Sequence, residues 1–361
     1  MKTIAVIGLL MVSGAVVIKQ WPAEQQTPPH VDCEMAECVD CDTAPVSTVA
    51  QAARTPLSQF DVKGLTIPAN DIRAGGPPKD GIPSISKPKT AAAADADFLK
   101  NDERVLAITI DKESRAYPVN VLTWHEAVND VVGEIPVAVI YCPLCDSFSV
   151  VDRRIKDKTF EFGISGLLYN SNVLLYDRTD QALWSQVGLT AVSGPHAGQS
   201  LRHLPFEITT YAKWLKANPK GTVMTKDTGH TRDYSRNPYA SYFQTDRLMF
   251  PPAKLDKRLP AKTPIIGIKS GQVIRAYTIG EIEKAKGGRL EVKVDAGQVV
   301  LQADGRGSVR VVESPETVQV VHTFWFAWAA FHPKTELIGA VPVPTGSTSK
   351  TTPAPKGSFS K

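Results

Sequence analysis

The chain contains an internal sequence repeat, which restricts its fold more than the composition of its 361 residues does. The repeated pieces are 106–108, 115–117 and 147–152 in the first half, and 266–268, 275–277 and 308–313 in the second. We expect two copies of one unit, at about 100–200 and about 260–341. Each unit is predicted to run strand, turn, strand, short helix and hairpin. The predicted fold class is α+β and β-rich, with the two pseudo-repeats packed in one body.

The short helix of the first copy is predicted over 121–131, and that of the second over 279–286. In the first helix, an i,i+4 spacing would stack His125 over Asn129 and Glu126 over Asp130. We expect these polar pairs to border the face that packs on the sheet. The alternative is a solvated polar face on which the histidine is only a boundary residue.

Four segments are predicted along the chain. Residues 1–20 combine Lys2 with an apolar run and indicate a signal peptide or an uncleaved signal anchor. Residues 21–55 form an acidic, cysteine-containing tether, 56–341 the duplicated domain, and 342–361 a disordered tail. We therefore expect an extracytoplasmic protein, either periplasmic or attached to the membrane by its N-terminus and facing outside the cytoplasm.

Charge gives no support for a nucleic-acid partner. Lys and Arg number 41 against 37 Asp and Glu, and the basic residues form no long run. A hydrophobic share of 42% allows a folded core that does not need disulfides. The predicted partner is a metal ion or a small molecule.

Two cysteines lie in Cys142-Pro143-Leu144-Cys145, between two strand-like runs, so the motif is predicted at the tip of a β-hairpin. In the thioredoxin arrangement such a motif opens a helix, whereas here a strand follows. The equivalent turn of the second half, 303–307, has no cysteine. Because the hairpin can form without sulfur, a chemical role is favoured for Cys142 and Cys145. The alternative is a local disulfide, as expected in an exported protein.

A tight turn that points two thiolates at one ion resembles a metal knuckle. His125, just before the hairpin, is predicted as the third ligand beside Cys142 and Cys145. Thiolate softness favours copper or zinc as the cofactor. An accessory metal arm is predicted in the tether, at Cys33, Cys38 and Cys41. The alternative for that arm is one disulfide and a spare thiol.

Polar and aromatic residues elsewhere in the body are candidates for lining a pocket. The candidates are Glu126, Asn129, Asp130, Ser165, Asn170, Asp177, Trp184 and Trp325. Turn formation explains Asn and Ser equally well, and core packing is the default for the aromatic run 324–331.

Several motifs together resemble a widespread prokaryotic family of exported domains of unknown function. They include Tyr-Cys-Pro-Leu-Cys at 141–145, His-Glu-Ala-Val-Asn-Asp at 125–130, Leu-Trp-Ser-Gln at 183–186 and Phe-Trp-Phe-Ala-Trp at 324–328. The resemblance covers roughly 56–340, and the family typically has Gly where this chain has Asp146. It implies one integrated body but no particular reaction.

Three functional hypotheses follow, and they leave open whether the protein is an enzyme. The first is binding of a thiophilic metal, copper or zinc, by the Cys-x-x-Cys hairpin. The second is a thiol–disulfide oxidoreductase in which Cys142 attacks and Cys145 resolves. The third is a small-molecule or glycan binding module that does not use the sulfurs.

Overall fold

The structure of the protein, a computed structural model, describes residues 56–305 and 308–339. The predicted signal segment, tether and tail, including Cys33, Cys38 and Cys41, lie outside these residues and stay predictions. In the described ranges, no helix has the length and apolar character needed to cross a bilayer.

Strands dominate the described residues, and the helices are short. The strands are β1 (Ile72–Ala74), β2 (Ile85–Ser86), β3 (Thr90–Ala92), β4 (Arg104–Ile110), β5 (Glu113–Pro118), β6 (Ala127–Val132), β7 (Ile135–Cys142), β8 (Ser147–Asp152), β9 (Arg154–Ile155), β10 (Lys158–Thr159), β11 (Phe162–Tyr169), β12 (Asn172–Asp177), β13 (Leu183–Ser185), β14 (Thr190–Ala191), β15 (Arg202–His203), β16 (Glu207–Thr210), β17 (Thr222–Met224), β18 (Pro264–Ser270), β19 (Val273–Thr278), β20 (Arg289–Val294), β21 (Gly297–Ala303), β22 (Val309–Glu313), β23 (Gln319–Phe324) and β24 (Glu336–Ile338). The α-helices are α1 (Val119–His125), α2 (Tyr211–Ala217), α3 (Ala240–Phe243), α4 (Ile279–Lys284) and α5 (Trp325–Phe331). Single 3₁₀ turns occupy Leu57–Gln59, Ala69–Asp71, Ala93–Asp95, Gly194–His196 and Lys286–Gly288.

Within the described residues, the strands form three large sheets and one small hairpin. The first sheet has the order β1-β11-β12-β13-β14, and the hairpin is β10-β9. A nine-stranded sheet has the order β2-β6-β7-β8-β23-β18-β19-β24, with β15 also paired to β8. An eight-stranded sheet has the order β20-β21-β22-β16-β4-β5-β17-β3. Both of the larger sheets therefore combine strands from the two halves of the sequence.

The predicted α+β body of two pseudo-repeats is wrong. In the first half, β4 and β5 belong to the eight-stranded sheet, whereas the following strands β6, β7 and β8 belong to the nine-stranded sheet. In the second half, β18 and β19 belong to the nine-stranded sheet, and β20, β21 and β22 to the eight-stranded one. The strands of each half are therefore divided between two sheets, and neither half forms a separate folded unit. A repeated motif specifies a local hairpin, but sheet partners are chosen by long-range contacts, which local sequence does not encode.

The first predicted helix is also too long. Helix α1 ends at His125 because Glu126 adopts a left-handed conformation with φ 57°, and β6 begins at the next residue. Val128 and Val132 are β-branched and buried, and β6 pairs with β7 along its whole length. The predicted stacking of His125 over Asn129 and of Glu126 over Asp130 is therefore wrong. The second predicted helix agrees with α4 to within two residues.

Two local predictions are confirmed. The Cys-x-x-Cys motif joins β7 to β8 in antiparallel register, so it lies at a hairpin tip. The aromatic run forms α5, in which Trp325, Phe326 and Trp328 are fully buried. Helix α5 packs against β18, where the ring of Trp328 covers the backbone of Gly267.

We predict that Gly267→Ala destabilises the protein by about 1–3 kcal/mol, because a Cβ at this position would overlap the Trp328 ring. Urea unfolding followed by circular dichroism measures the change. Gly280→Ala in α4 is the matched control, because nothing lies within 4 Å of its added Cβ. This control should be stabilising by about 0.5–1 kcal/mol from helix propensity. Equal midpoints for the two variants would contradict the close packing of α5 on β18.

Candidate functional site

The tip of the β7–β8 hairpin is a tight turn that buries two unbridged cysteines. The Cys145 amide donates to the Cys142 carbonyl at 3.2 Å, and Asp146 then takes φ 42° before β8 begins. Cys142 and Cys145 are free thiols with 1% and 0% of their surface exposed. In a turn of this kind the two Cα atoms are near enough for a disulfide to form. The geometry therefore allows both a dithiol and a disulfide.

The Cys142 sulfur lies among hydrogen-bond donors. Burial opposes its ionisation, but the influence of the Cys145 thiol and of the nearby backbone amides of Val173, Cys145 and Leu144 outweighs that effect. As a result the pKa of Cys142 falls below the ordinary thiol value. A thiolate held by converging amides is the nucleophilic form of cysteine.

Cys145 has the opposite character. Burial and the neighbouring Cys142 sulfur raise its pKa well above the ordinary value, and a hydrogen bond from Asn172 offsets this only in part. Its sulfur lies 3.1 Å from the Ser171 carbonyl oxygen, which accepts the thiol hydrogen. A thiol has a single hydrogen, which serves either this carbonyl or the Cys142 sulfur. The pair thus consists of one sulfur disposed to ionise and one that keeps its proton.

A buried carboxyl completes the cluster. Glu126 is 5% exposed and follows α1 directly. Burial, and then the negative charge of Cys142, raise the pKa of Glu126 well above the ordinary carboxyl value. Glu126 also helps to raise the pKa of Cys145. The carboxyl therefore responds to the charge of the dithiol and holds a proton beside it.

Residues 239–250 cover the dithiol. The Tyr242 hydroxyl donates to the Leu144 carbonyl at 2.8 Å. Lys262 donates to the carbonyls of Tyr242 and Thr245, and Ser171 donates to the Phe250 carbonyl. Hydrophobic side chains of this segment pack on the core that contains both cysteines: Tyr239, Phe243, Leu248 and Phe250. Beneath this segment, the two cysteines are closed to solvent.

His125, the predicted third metal ligand, lies among other partners. Its Nδ1 contacts the Pro83 carbonyl oxygen and its Nε2 the Tyr234 hydroxyl, both at 2.7 Å. Burial lowers the pKa of His125 to about 4. Both ring nitrogens are thus used within the fold. Across the described ranges, no group of three or more His, Cys, Asp or Glu side chains is placed to hold a metal ion.

Glu126 is the predicted pocket residue whose charge is coupled to that of the dithiol. Asn129 instead exchanges two hydrogen bonds of 2.9 Å with the Phe162 backbone. Asp130 accepts from Arg115 at 2.6 Å and from Tyr117 at 2.7 Å. Ser165 donates to the Leu174 carbonyl and accepts from the Leu167 amide at 3.0 Å. These three side chains serve strand pairing and buried charge rather than a common pocket.

The other predicted pocket residues are also dispersed. Asn170 donates to the Ala330 carbonyl at 3.3 Å from a turn. Asp177 accepts from the backbone amides of Glu161 and Asp180, at 3.4 and 2.9 Å. Trp184 packs edge-to-face with Phe160 and Phe162 in the core. The Trp325 indole donates to the Asp256 carbonyl at 3.1 Å. Within the described structure these residues do not share one cavity.

The structure adds site residues that the sequence analysis did not select. Asn172 lowers the pKa of Cys145, and its side-chain amide donates to Ser147 and Gln186, at 3.1 and 2.6 Å, in a buried network. Its position two residues after the predicted Asn170 was the available signal. Tyr242 carried no signal, because it comes from an irregular segment almost a hundred residues after the hairpin.

Comparison with known proteins identifies the family. Residues 79–319 match the family described as protein of unknown function, DUF3179. The chain belongs to this family. No curated protein and no solved structure gave a significant match. The matched range includes Glu126, both cysteines, Asn172 and Tyr242, whereas the aromatic segment 324–328 follows it. The expected resemblance to an uncharacterised family is confirmed. The description of the family names no reaction.

We predict that Glu126→Gln changes how stability depends on pH. Folded Glu126 keeps its proton above the ordinary value of 4.5, where the unfolded chain loses it. The free energy of unfolding of the native protein therefore falls as pH rises above that value, by about 1.4 kcal/mol per pH unit until the folded group also ionises. The variant should lack this decline in urea unfolding at a series of pH values. The exposed Glu134→Gln is the control and should follow the native protein. Parallel curves for all three proteins would contradict the burial of a protonated Glu126.

Proposed function

We propose that Cys142 and Cys145 form a redox-active dithiol that exchanges with disulfides, so that the protein is a thiol–disulfide oxidoreductase. One observation carries the proposal: two unbridged cysteines share a tight turn, with one sulfur among amide donors and the other beside a buried carboxyl. This asymmetry matches the two roles in the reaction. The attacking sulfur must be a thiolate, whereas the resolving sulfur must stay protonated until it is needed.

In the reducing direction, the Cys142 thiolate attacks one sulfur of a partner disulfide. A bond forms between Cys142 and the partner, the partner's S–S bond breaks, and its second sulfur leaves as a thiolate. Cys145 then gives its proton to Glu126 and attacks the Cys142 sulfur. The Cys142–Cys145 bond forms and the remaining partner sulfur leaves, so two electrons pass to the partner. The reverse sequence oxidises a partner dithiol.

Glu126 changes its protonation state in the first step. Its pKa is raised by burial and, in part, by the negative charge of Cys142. That charge disappears once Cys142 is in a mixed disulfide, so the Glu126 carboxyl becomes a stronger acid and gives its proton to the partner thiolate that leaves. The resulting carboxylate, next to Cys145, is available as the acceptor of the second thiol proton.

Access to the sulfurs requires the segment 239–250 to open. It is held at the hairpin by the Tyr242–Leu144 hydrogen bond and by Ser171. A buried dithiol of this kind exchanges with a disulfide, whether small or protein-borne, only while the cover is open. The predicted export of the chain would place this exchange outside the cytoplasm, where protein disulfides are abundant.

The metal hypothesis has less support from the geometry. His125 is engaged by Pro83 and Tyr234, and the two sulfurs with one carboxyl do not form a recognised ligand group. The binding-module hypothesis has less support because its predicted pocket residues are dispersed. Copper or zinc binding would be detected as bound metal in the experiment described below.

We predict that Cys145→Ser accumulates a mixed disulfide at Cys142 when treated with oxidised glutathione. The reason is that the attacking thiolate is present and the resolving thiol is absent. All arms use the full chain with Cys33, Cys38 and Cys41 changed to Ser, so that a single hairpin cysteine remains. Mass spectrometry follows the adduct with time.

Cys142→Ser is the matched control, because it retains only the sulfur with the raised pKa. We expect it to react at least about tenfold more slowly, as one pKa unit is a tenfold change in thiolate fraction. Equal rates in the two variants would refute the proposed roles. Metal analysis of the protein with both hairpin cysteines intact tests the metal hypothesis against the redox proposal. If this protein holds one copper or zinc per chain, and the metal is lost in Cys142→Ser, the redox proposal is refuted.

A further inference from the structure

A cavity of about 270 Å³ lies where the eight-stranded sheet meets the nine-stranded sheet. Arg104 of β4 and Thr209 of β16 line it from one sheet, and His322 of β23 from the other. Asp146 of the hairpin tip and Lys213 of α2 complete the polar wall. None of its lining residues is a cysteine or Glu126, so the cavity is separate from the dithiol. Its volume is near the lower limit for small-molecule sites.

His322 presents an unused nitrogen to this cavity. The residue is 6% exposed, and its Nδ1 lies 3.4 Å from the Asp146 carbonyl oxygen. Because a carbonyl only accepts, Nδ1 carries the hydrogen and Nε2 offers a lone pair. Nε2 has no hydrogen-bond partner among the residues that the structure describes. Burial lowers the pKa of His322, which favours the neutral ring that this arrangement requires.

The same wall carries two cations. Arg104 binds the Asp146 carboxylate through Nη1 and Nη2, both at 3.2 Å, and its guanidinium has further N–H groups. Lys213 Nζ pairs with Asp304 at 2.7 Å and has two more hydrogens to donate. The cavity thus combines donors for anionic oxygens with one unpaired acceptor, His322 Nε2, because the Asp146 carboxylate already accepts from Arg104 and from the Tyr141 hydroxyl. A ligand that uses both the donors and this acceptor carries negative oxygens together with a hydrogen-bond donor such as an O–H group.

We propose that this cavity binds a protonated phosphate group, either as free hydrogen phosphate or as the phosphate of a small monoester. Its anionic oxygens accept from Arg104 and Lys213, and its P–OH donates to His322 Nε2. Inorganic hydrogen phosphate carries a proton at neutral pH, and a monoester, whose second pKa is about 6, carries one in part of its population there. Sulfate has no such proton and leaves His322 Nε2 unpaired against an anion. The inference does not depend on the dithiol proposal.

Isothermal titration of the full chain with inorganic phosphate, glycerol 3-phosphate and sulfate at equal ionic strength tests the proposal. We expect saturable binding of phosphate or glycerol 3-phosphate that is at least about tenfold tighter than that of sulfate, because a missing donor leaves a buried acceptor unpaired. Tighter binding of the ester identifies a small monoester as the ligand class, and tighter binding of inorganic phosphate identifies the free anion. Absence of binding, or equal affinity for sulfate, overturns the proposal.

Two variants assign the binding to this cavity. His322→Phe keeps a ring beside Phe148 and removes Nε2, so phosphate affinity should fall about tenfold or more and the preference over sulfate should disappear. Lys213→Met, on the surface of α2, should weaken phosphate and sulfate binding alike. His203→Phe is the matched control, since His203 is also buried on a strand but does not line the cavity. A folded His322→Phe protein or a Lys213→Met protein with native affinity and selectivity would refute the assignment.

Discussion

The buried charge of Asp146 fixes the hairpin tip on which the rest of the site depends. Its carboxylate is fully enclosed and is satisfied by Arg104 from the eight-stranded sheet and by the Tyr141 hydroxyl of its own hairpin. An unpaired carboxylate buried in this position would cost several kcal/mol of folding free energy. The tip is therefore held in the geometry that keeps Asp146 paired. Phe324 of β23 adds an amide hydrogen bond of 2.8 Å to the Cys145 carbonyl. Contacts from the eight-stranded and the nine-stranded sheets thereby converge on this turn.

That convergence explains how a thiolate can be stabilised without a helix. The amide of Val173 comes from β12 of the five-stranded sheet and reaches Cys142, while Asn172 of the same strand reaches Cys145. Asn172 is itself held by Ser147 and Gln186 in a closed buried network. Because each donor is fixed by its own partners, little reorganisation is needed when the sulfur becomes charged. The dithiol and the cavity proposed to bind phosphate both include residues of this tip, the first its cysteines and the second Asp146.

Local features of this organisation follow from the sequence, and long-range ones do not. The hairpin around Cys142 and Cys145 was predictable because alternating apolar strands flank a turn motif. The end of α1 at His125 was not, since a polar i,i+4 pattern over 125–130 suits a helix as well as a strand. The left-handed turn at Glu126 decides between them and places that carboxyl beside the dithiol. The partnership of His125 with Tyr234 was equally hidden, because it joins residues more than a hundred positions apart.

The sequence by itself determined that this chain forms hairpins, that two cysteines occupy one hairpin tip, and that an aromatic helix is buried. These properties depend on the periodicity of neighbouring side chains and on turn chemistry. Only the tertiary structure decided which hairpins share a sheet, so that the repeated motifs do not make repeated units. It also decided that the cysteines meet amides and Glu126 rather than the ring of His125. The physical reason is that hydrogen-bond partners of buried groups are set by packing among distant segments, which no local pattern specifies.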